Sequence, residues 1–183
     1  MKPSIHNDHF VKFPYIKEIR DNGDINNGGI DLVKEPHRID EIHELEGAPW
    51  LKLFISAINS PDSYFMSFGC VYGPIEDYFA GYIDFSLRPN APIHLRQLLN
   101  RLDEDFYIYL EEDIQKKTGN PKEAIQYAKN YCSWEISPLE IYGQAYDKVG
   151  LNFQYHDQTG IAWIFEHLQY FLTNHYPSTH PRN

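Results

Sequence analysis

Three runs rich in aromatic and β-branched residues, each bounded by turn residues, constrain the fold of this chain more than any other feature. They are WLKLFISAI (Trp50 to Ile58), SYFMSFGCVY (Ser63 to Tyr72) and YFAGYIDFSL (Tyr78 to Leu87), with NSPD after the first and GPIED after the second. This composition favours β-strands, and loops this short join antiparallel neighbours. We therefore predict a three-stranded antiparallel meander, or a slightly larger sheet of the same kind.

Alternation along the third run predicts which side of that strand is buried, because successive side chains of a strand point to opposite faces of the sheet. The face that we expect against the core holds Phe79, Gly81, Ile83, Phe85 and Leu87. The face that we expect to be partly in water holds Tyr78, Ala80, Tyr82, Asp84 and Ser86. One face of the sheet should therefore be covered by helices.

Helical periodicity dominates the chain after these runs. Apolar residues recur at steps of three and four from Leu95 to Leu110, and an Asn-x-x-Glu box at Asn120 predicts the start of the next helix. A similar Ser-Pro-x-Glu pattern at Ser137 predicts another helix, over LEIYGQAYDKVG. The core face of the last helix is predicted at Ile161, Ile164, Phe165, Leu168, Phe171 and Leu172.

Shorter elements complete the predicted fold. EPHRIDEIHELEG (Glu35 to Gly47) predicts a short helix with an apolar stripe at three-residue steps, and CSWEI and LNFQY predict short strands. We predict an α+β fold in a single domain, residues 1–183, in which several α-helices follow the meander and pack against it. The segment 1–34 has no clear assignment.

The net charge of −10 is concentrated in two segments of the sequence. Asp103 to Asp113 contains six acids and no base, Glu35 to Glu46 contains five acids and one base, and the rest of the chain is neutral. Clustered like charges cost stability, and scattered acids would serve solubility equally well. Their concentration therefore favours docking of a basic partner, and we predict that they gather into one outward patch.

The stretch RLDEDFYIYLEED, from Arg101 to Asp113, supplies the centre of the predicted patch. On a helix its apolar residues share one side, whereas Glu104, Glu111 and Glu112 project to the other. Ile108 lies among these acids, like a small hydrophobic anchor within a charged rim. The alternative is a solvated helix face on which another element covers Ile108. The predicted partner-binding residues are Asp103, Glu104, Asp105, Tyr107, Ile108, Glu111, Glu112, Asp40, Glu41 and Glu44.

Several classes of partner and cofactor find no support in the sequence. A phosphate backbone or an anionic membrane surface would require a cluster of Lys and Arg, and no apolar run is long enough to span a membrane. Cys70 and Cys132 are too few for a disulfide framework, and with no apolar leader segment they indicate a reducing, cytoplasmic location. We expect no cofactor and no metal, since HNDH (His6 to His9) is at most a weak metal-binding stretch.

An enzyme is the alternative interpretation. The sequence contains no phosphate-binding or nucleophile-elbow motif, and HELEG (His43 to Gly47) has glycine where a zinc-protease helix needs its second histidine. Two His–carboxylate pairs are nevertheless adjacent in sequence, His156 with Asp157 and His43 with Glu46. Asp157 also suits the N-cap of the last helix.

The sequence therefore predicts a non-catalytic acidic binding protein that neutralises a basic protein partner. The biology that suits a small acidic α+β protein without a catalytic motif is that of a bacterial immunity or inhibitor protein against a toxin, with a nuclease as one candidate. A protein that mimics nucleic acid belongs to the same physical class. We expect a monomer or a weak dimer. The alternative is a small hydrolase or transferase that uses a His–carboxylate pair.

Overall fold

The chain folds into a β-sheet with α-helices packed on one face. The computed structural model describes residues 1–4, 11–19, 25–26 (backbone only) and 28–179. The strands are β1 (Lys2–Pro3), β2 (Lys12–Phe13), β3 (Glu18–Ile19), β4 (Ile25–Asn26), β5 (Phe65–Ile75), β6 (Tyr78–Leu87), β7 (Cys132–Ile141) and β8 (Gln144–Tyr155). The α-helices are α1 (Pro49–Ile58), α2 (Ile93–Leu98), α3 (Leu102–Lys117), α4 (Pro121–Tyr131), α5 (Gln158–Tyr170) and α6 (Tyr176–Thr179). Three 3₁₀ turns (Pro36–Glu41, His43–Leu45, Leu99–Arg101) and a π-helical turn (Phe171–His175) complete the described elements.

Two long antiparallel hairpins form the centre of the sheet. Within the described residues the main sheet has six strands, in the order β1-β7-β8-β6-β5, and β2 also lies beside β7. The hairpins β5–β6 and β7–β8 join through antiparallel pairing of β6 with β8, whereas β1 and β2 pair with β7 in parallel. The prediction that helices combine with a sheet is confirmed, but the sheet has six described strands and is mixed rather than a three-stranded antiparallel meander.

The first predicted strand is a helix. Trp50 to Ile58 lies within α1, which buries Leu51, Phe54 and Ile55 and leaves Leu53 67% exposed. The run WLKLFISAI has apolar residues both at alternate positions and at helical steps, so its pattern alone does not distinguish a strand from a helix. Pro49 suits the first position of a helix, and the buried side of α1 packs against α5.

The predicted helix over LEIYGQAYDKVG is also wrong, because this stretch is a β-hairpin. Strands β7 and β8 are joined by Tyr142 and Gly143, whose φ values are +49° and +81°. Two consecutive positive φ angles match the type I′ turn that follows the twist of a two-residue hairpin. Pro138, which resembled a helix start, lies in β7 between the residues that pair with β1 and those that pair with β2. It therefore costs no ladder hydrogen bond on that side.

The predicted helix at Glu35 to Gly47 consists of two 3₁₀ turns, Pro36–Glu41 and His43–Leu45. A 3₁₀ helix has three residues per turn, so its core-facing residues recur at steps of three rather than alternating between three and four. The stripe Ile39, Ile42 and Leu45 has this spacing, and all three pack on the main core.

The remaining helices and the main core agree with the predictions. The predicted apolar positions of α3 and of the last helix are buried, and Ile83, Phe85 and Leu87 of β6 face the same core. Asp157 caps α5 by accepting hydrogen bonds from the backbone N–H groups of Thr159 and Gly160 at 3.2 and 3.3 Å. Helix α5 continues into the π-helical turn, which the periodicity of the sequence did not predict.

The prediction that the second face of the sheet is partly in water holds for the first three of the five β6 residues named for it, which are half-exposed, but not for the last two. Asp84 and Ser86 are only 7% and 1% exposed. Phe13 of the N-terminal segment packs there in a small second core, with Tyr15 and Val33 half-buried against it. The strand residues of this core are Met66, Phe68, Leu139 and Ile141. The described residues of the segment 1–34, which the sequence left unassigned, therefore cover part of this second face.

A close contact between α4 and α5 gives a direct test of this packing. A Cβ atom on Gly160 would lie 1.7 Å from the hydroxyl oxygen of Tyr127. We expect Gly160→Ala to lower the free energy of unfolding by about 2 kcal/mol, because the added methyl group is overpacked against Tyr127. This net loss is expected even though alanine is more favourable than glycine in a helix by about 1 kcal/mol. Urea denaturation monitored by circular dichroism measures the change.

The matched control places Gly160→Ala in a Tyr127→Ala background, where the contact is absent. There we expect the same substitution to be neutral or to stabilise by up to about 1 kcal/mol, since only its helix propensity remains. An equal loss of stability in both backgrounds would contradict the assignment of the effect to Tyr127.

Candidate functional site

The outer face of α3 carries three exposed acids around an exposed isoleucine. Ile108 is 51% exposed, so no other described element covers it. Glu104, Glu111 and Glu112 are also exposed, at positions i−4, i+3 and i+4 from Ile108, which are its neighbours on a helix surface. We call these four residues the α3 face.

The other acids of α3 have cationic partners within the molecule. The amino group of Met1 lies 3.0 Å from a carboxylate oxygen of Asp103, and Arg101 lies 3.1 Å from Asp105. Asp113 pairs with Lys117 at 2.8 Å. Within the part of the chain that the structure describes, no ion pair includes the three glutamates of the α3 face. The fold therefore neutralises the acids that flank this face and leaves the face itself negative.

Three of the five acids in the second acidic segment have a cation beside them. Arg38 lies 3.1 Å from Glu35 and 2.9 Å from Glu41, and Lys52 of α1 pairs with Asp40. The hydrogen bonds from Arg38 lower the pKa of Glu41, which fits a carboxylate engaged by a cation.

Glu44 is half-buried rather than presented to solvent. Its charge acts on groups of the sheet: burial first, and then the charges of Glu44 and Asp84, raise the pKa of the Cys70 thiol to about 12. Of the predicted partner-binding residues, Asp40 and Glu41 are thus engaged in ion pairs within the molecule, and Glu44 is half-buried.

The two acidic segments lie toward opposite edges of the sheet. The turn His43–Leu45 packs against β5, which is one edge strand, and α1 packs there as well. Helix α3 lies toward β7, where Phe106 contacts Trp134 with ring centroids 5.7 Å apart. The structure therefore does not bring the predicted residues into one patch, and the contiguous part is the α3 face.

Tyr107 faces the protein rather than the α3 face. Its hydroxyl accepts a hydrogen bond from the indole N–H of Trp134 at 3.2 Å, and the ammonium of Lys129 lies 4.9 Å from its ring centroid. Burial raises the pKa of Tyr107 to about 12, so the hydroxyl stays protonated at neutral pH. This residue links α3 to β7 and α4.

The His–carboxylate pairs that are adjacent in sequence do not form pockets. His43 lies 3.4 Å from Glu46, but both side chains are about three-quarters exposed. His156 contacts the backbone carbonyl of Asp77 at 3.2 Å, and Asp157 is occupied as the cap of α5. Neither pair therefore converges on an enclosed space.

A different histidine meets a carboxylate inside the helical layer. His167 of α5 has its Nδ1 atom 3.5 Å from Asp113 and 3.4 Å from the hydroxyl of Tyr109, and its side chain is 11% exposed. Sequence reasoning missed this cluster, since His167 and Asp113 lie on different helices. The only sequence signal is that Tyr109 and Asp113 are four residues apart and so share one face of α3.

No group of three or more potential metal ligands converges within the described residues. The stretch from His6 to His9, the one weak metal-binding candidate in the sequence, lies outside them. Both cysteines are free thiols.

These features define a mixed α/β protein with an uncompensated acidic helix face and two free cysteines. Among the described residues, no helix is long and apolar enough to cross a membrane. No protein-family model, no curated protein and no solved structure matches this chain.

Proposed function

We propose that this protein binds a basic protein partner through the α3 face and does not act as a catalyst. The observation that carries the proposal is that the fold pairs some acids of α3 with cations and leaves the others out of the described ion pairs. The fold supplies a cation to each acid that flanks the face, Asp103, Asp105 and Asp113, while no described ion pair includes the three glutamates around Ile108.

The arrangement suits a protein interface in two physical respects. A half-exposed isoleucine supplies apolar area that a partner can bury, and a rim of charge excludes the wrong partners and speeds encounter with the right one. Electrostatic attraction of the partner depends on exposed charge that is not paired. The field of a carboxylate paired with a cation is largely cancelled by that cation.

The biology that suits such a protein is neutralisation of a toxin in the bacterial cytoplasm, as an immunity or inhibitor protein. The cationic active site of a nuclease is one surface that an acidic helix face would cover. Free cysteines are consistent with a reducing compartment, which supports the cytoplasmic assignment.

Neutralising the α3 face should slow capture of the partner without unfolding the protein. We expect the triple variant Glu104→Gln, Glu111→Gln and Glu112→Gln to associate about tenfold more slowly at low ionic strength. Its rate should also depend less on salt, because fewer charges are screened. The partner to use is the protein encoded next to this chain's gene, with stopped-flow association rates measured from about 10 to 150 mM salt.

The matched control replaces three exposed acids elsewhere, Glu18, Glu46 and Glu76, by glutamine and so changes the net charge equally. We expect the control to keep nearly the wild-type rate and salt dependence. Equal effects of the two triple variants would mean that only net charge matters, and an unchanged rate in the first would remove the α3 face as the docking site.

A further inference from the structure

His167 connects two helices that do not follow each other in the chain. It lies on α5, and its ring fits between Tyr109 and Asp113 of α3, with Nδ1 at 3.4 and 3.5 Å from them. On its other side the ring contacts the indole of Trp163 at a centroid distance of 4.7 Å. Because its side chain is only 11% exposed, this contact is largely shielded from water.

The position suits a neutral imidazole. Burial raises the pKa of Tyr109, so its hydroxyl stays protonated and can donate to Nδ1 in the ring tautomer that leaves this nitrogen without a proton. Asp113, the other neighbour of this nitrogen, is paired with Lys117 at 2.8 Å. A proton on the ring would place a positive charge in this largely buried contact, close to the cation that Asp113 already holds.

We propose that His167 is an acid-sensitive clasp between α3 and α5, closed while the ring is neutral and loosened when it takes up a proton. Among the described residues, the charged and titratable groups around it are Tyr109, Asp113 and Lys117 on α3 and Glu166 on α5. Tyr109 also contacts Tyr170 of α5 and His175 of the π-helical turn, at ring distances of 6.1 and 4.8 Å. From α4, Tyr127 reaches the same site through Trp163, at a ring distance of 6.4 Å.

The direction of the pH effect follows from the balance of these groups. Burial lowers the pKa of His167; the charge of Lys117 also lowers it, and those of Asp113 and Glu166 oppose them without reversing the shift. The unfolded chain therefore binds the proton more readily than the folded one. The stability that the neutral ring contributes is present above the ordinary histidine pKa of about 6.5 and is lost as pH falls below it.

Thermal unfolding between about pH 8 and pH 5 tests the clasp. We expect the melting temperature of the wild type to fall by several degrees more over this range than that of His167→Gln, which cannot take up the proton. His43→Gln removes an exposed histidine and should follow the wild type. Parallel pH profiles for the wild type and His167→Gln would overturn the proposal.

A second measurement is needed in case His167→Gln folds poorly. The ring proton signals of His167 in the wild type, assigned by their proximity to the indole protons of Trp163, should titrate below the ordinary histidine pKa of about 6.5. The signals of Tyr109 should move with the same midpoint. A midpoint for His167 at or above about 6.5 would also overturn the proposal.

Discussion

Replacing Arg88 by alanine is expected to lower the free energy of unfolding by about 3 kcal/mol, a large effect for a single side chain. The side chain is 6% exposed. Within the described part of the chain its guanidinium donates hydrogen bonds to four backbone carbonyls, those of Ile58, Ser60, Pro61 and Phe65, at 3.3, 2.6, 3.3 and 2.7 Å. Denaturation in urea, followed by circular dichroism, measures the loss.

The reason lies in where these carbonyls are. Ile58 is the last residue of α1, Ser60 and Pro61 lie in the loop that follows, and Phe65 begins the edge strand β5. The last carbonyls of a helix have no partner in the helix itself and carry partial negative charge. One planar guanidinium thus satisfies the end of α1 and fixes the course of the chain into β5.

Arg88→Lys is the informative companion variant. Lysine keeps the charge, but its compact ammonium lacks the planar fork that spans four carbonyls, so we expect a loss of about 2 kcal/mol. Arg101→Ala serves as the control, because Arg101 is half-exposed and makes an ion pair with Asp105 that is worth at most about 0.5 kcal/mol. Losses of similar size for Arg88→Ala and Arg101→Ala would contradict this account.

The fold was predictable from sequence where a pattern had only one structural solution. The alternating residues of β5 and β6, joined by a short turn, and the apolar steps of α3 and α5 are long and regular, and all four elements are observed. The run that became α1 satisfied both periods at once. Only its burial between the sheet and α5 decided for the helix, and burial depends on residues far away in the chain.

The second hairpin shows a different limit. A two-residue turn with positive φ at both positions is usually marked by Asn-Gly or Asp-Gly, but here Tyr142 occupies the first position. Its ring contacts Phe13, and its hydroxyl donates a hydrogen bond to Asp31. The turn therefore depends on contacts with the N-terminal segment, which local sequence does not record.

The candidate site was predictable only in part, for a related reason. Counting acids located the charge on α3, and the exposure of Ile108 follows from helical geometry. Helical spacing of four residues accounts for the Arg101–Asp105 and Asp113–Lys117 pairs, but two other pairs join residues that are not neighbours on one helix. Asp103 meets the amino group of Met1, and Asp40 meets Lys52 across two elements. Ion pairs of this kind determine which exposed acids have a cation beside them.

The second large effect is expected at Asp84, where we predict that alanine lowers the free energy of unfolding by about 4 kcal/mol. Its carboxylate lies 2.9 Å from the ammonium of Lys148, and the two residues are 7% and 1% exposed. The pair joins β6 to β8 on the second face of the sheet. A carboxylate oxygen of Asp84 lies 3.3 Å from the position that a Cβ on Gly150 would occupy, so the glycine leaves room for it.

Loss of one partner is costly mainly because the other charge stays buried without the ion pair at 2.9 Å. Asp84→Ala and Lys148→Ala should therefore each be strongly destabilising. The double variant Asp84→Leu with Lys148→Met removes both charges and keeps apolar volume, so it should lose less than the sum of the single alanine losses, by at least about 2 kcal/mol. Urea denaturation of the single variants Asp84→Leu and Lys148→Met together with the double variant completes the cycle. Additive losses would mean that Asp84 and Lys148 stabilise the sheet independently, through packing, and that their ion pair contributes little.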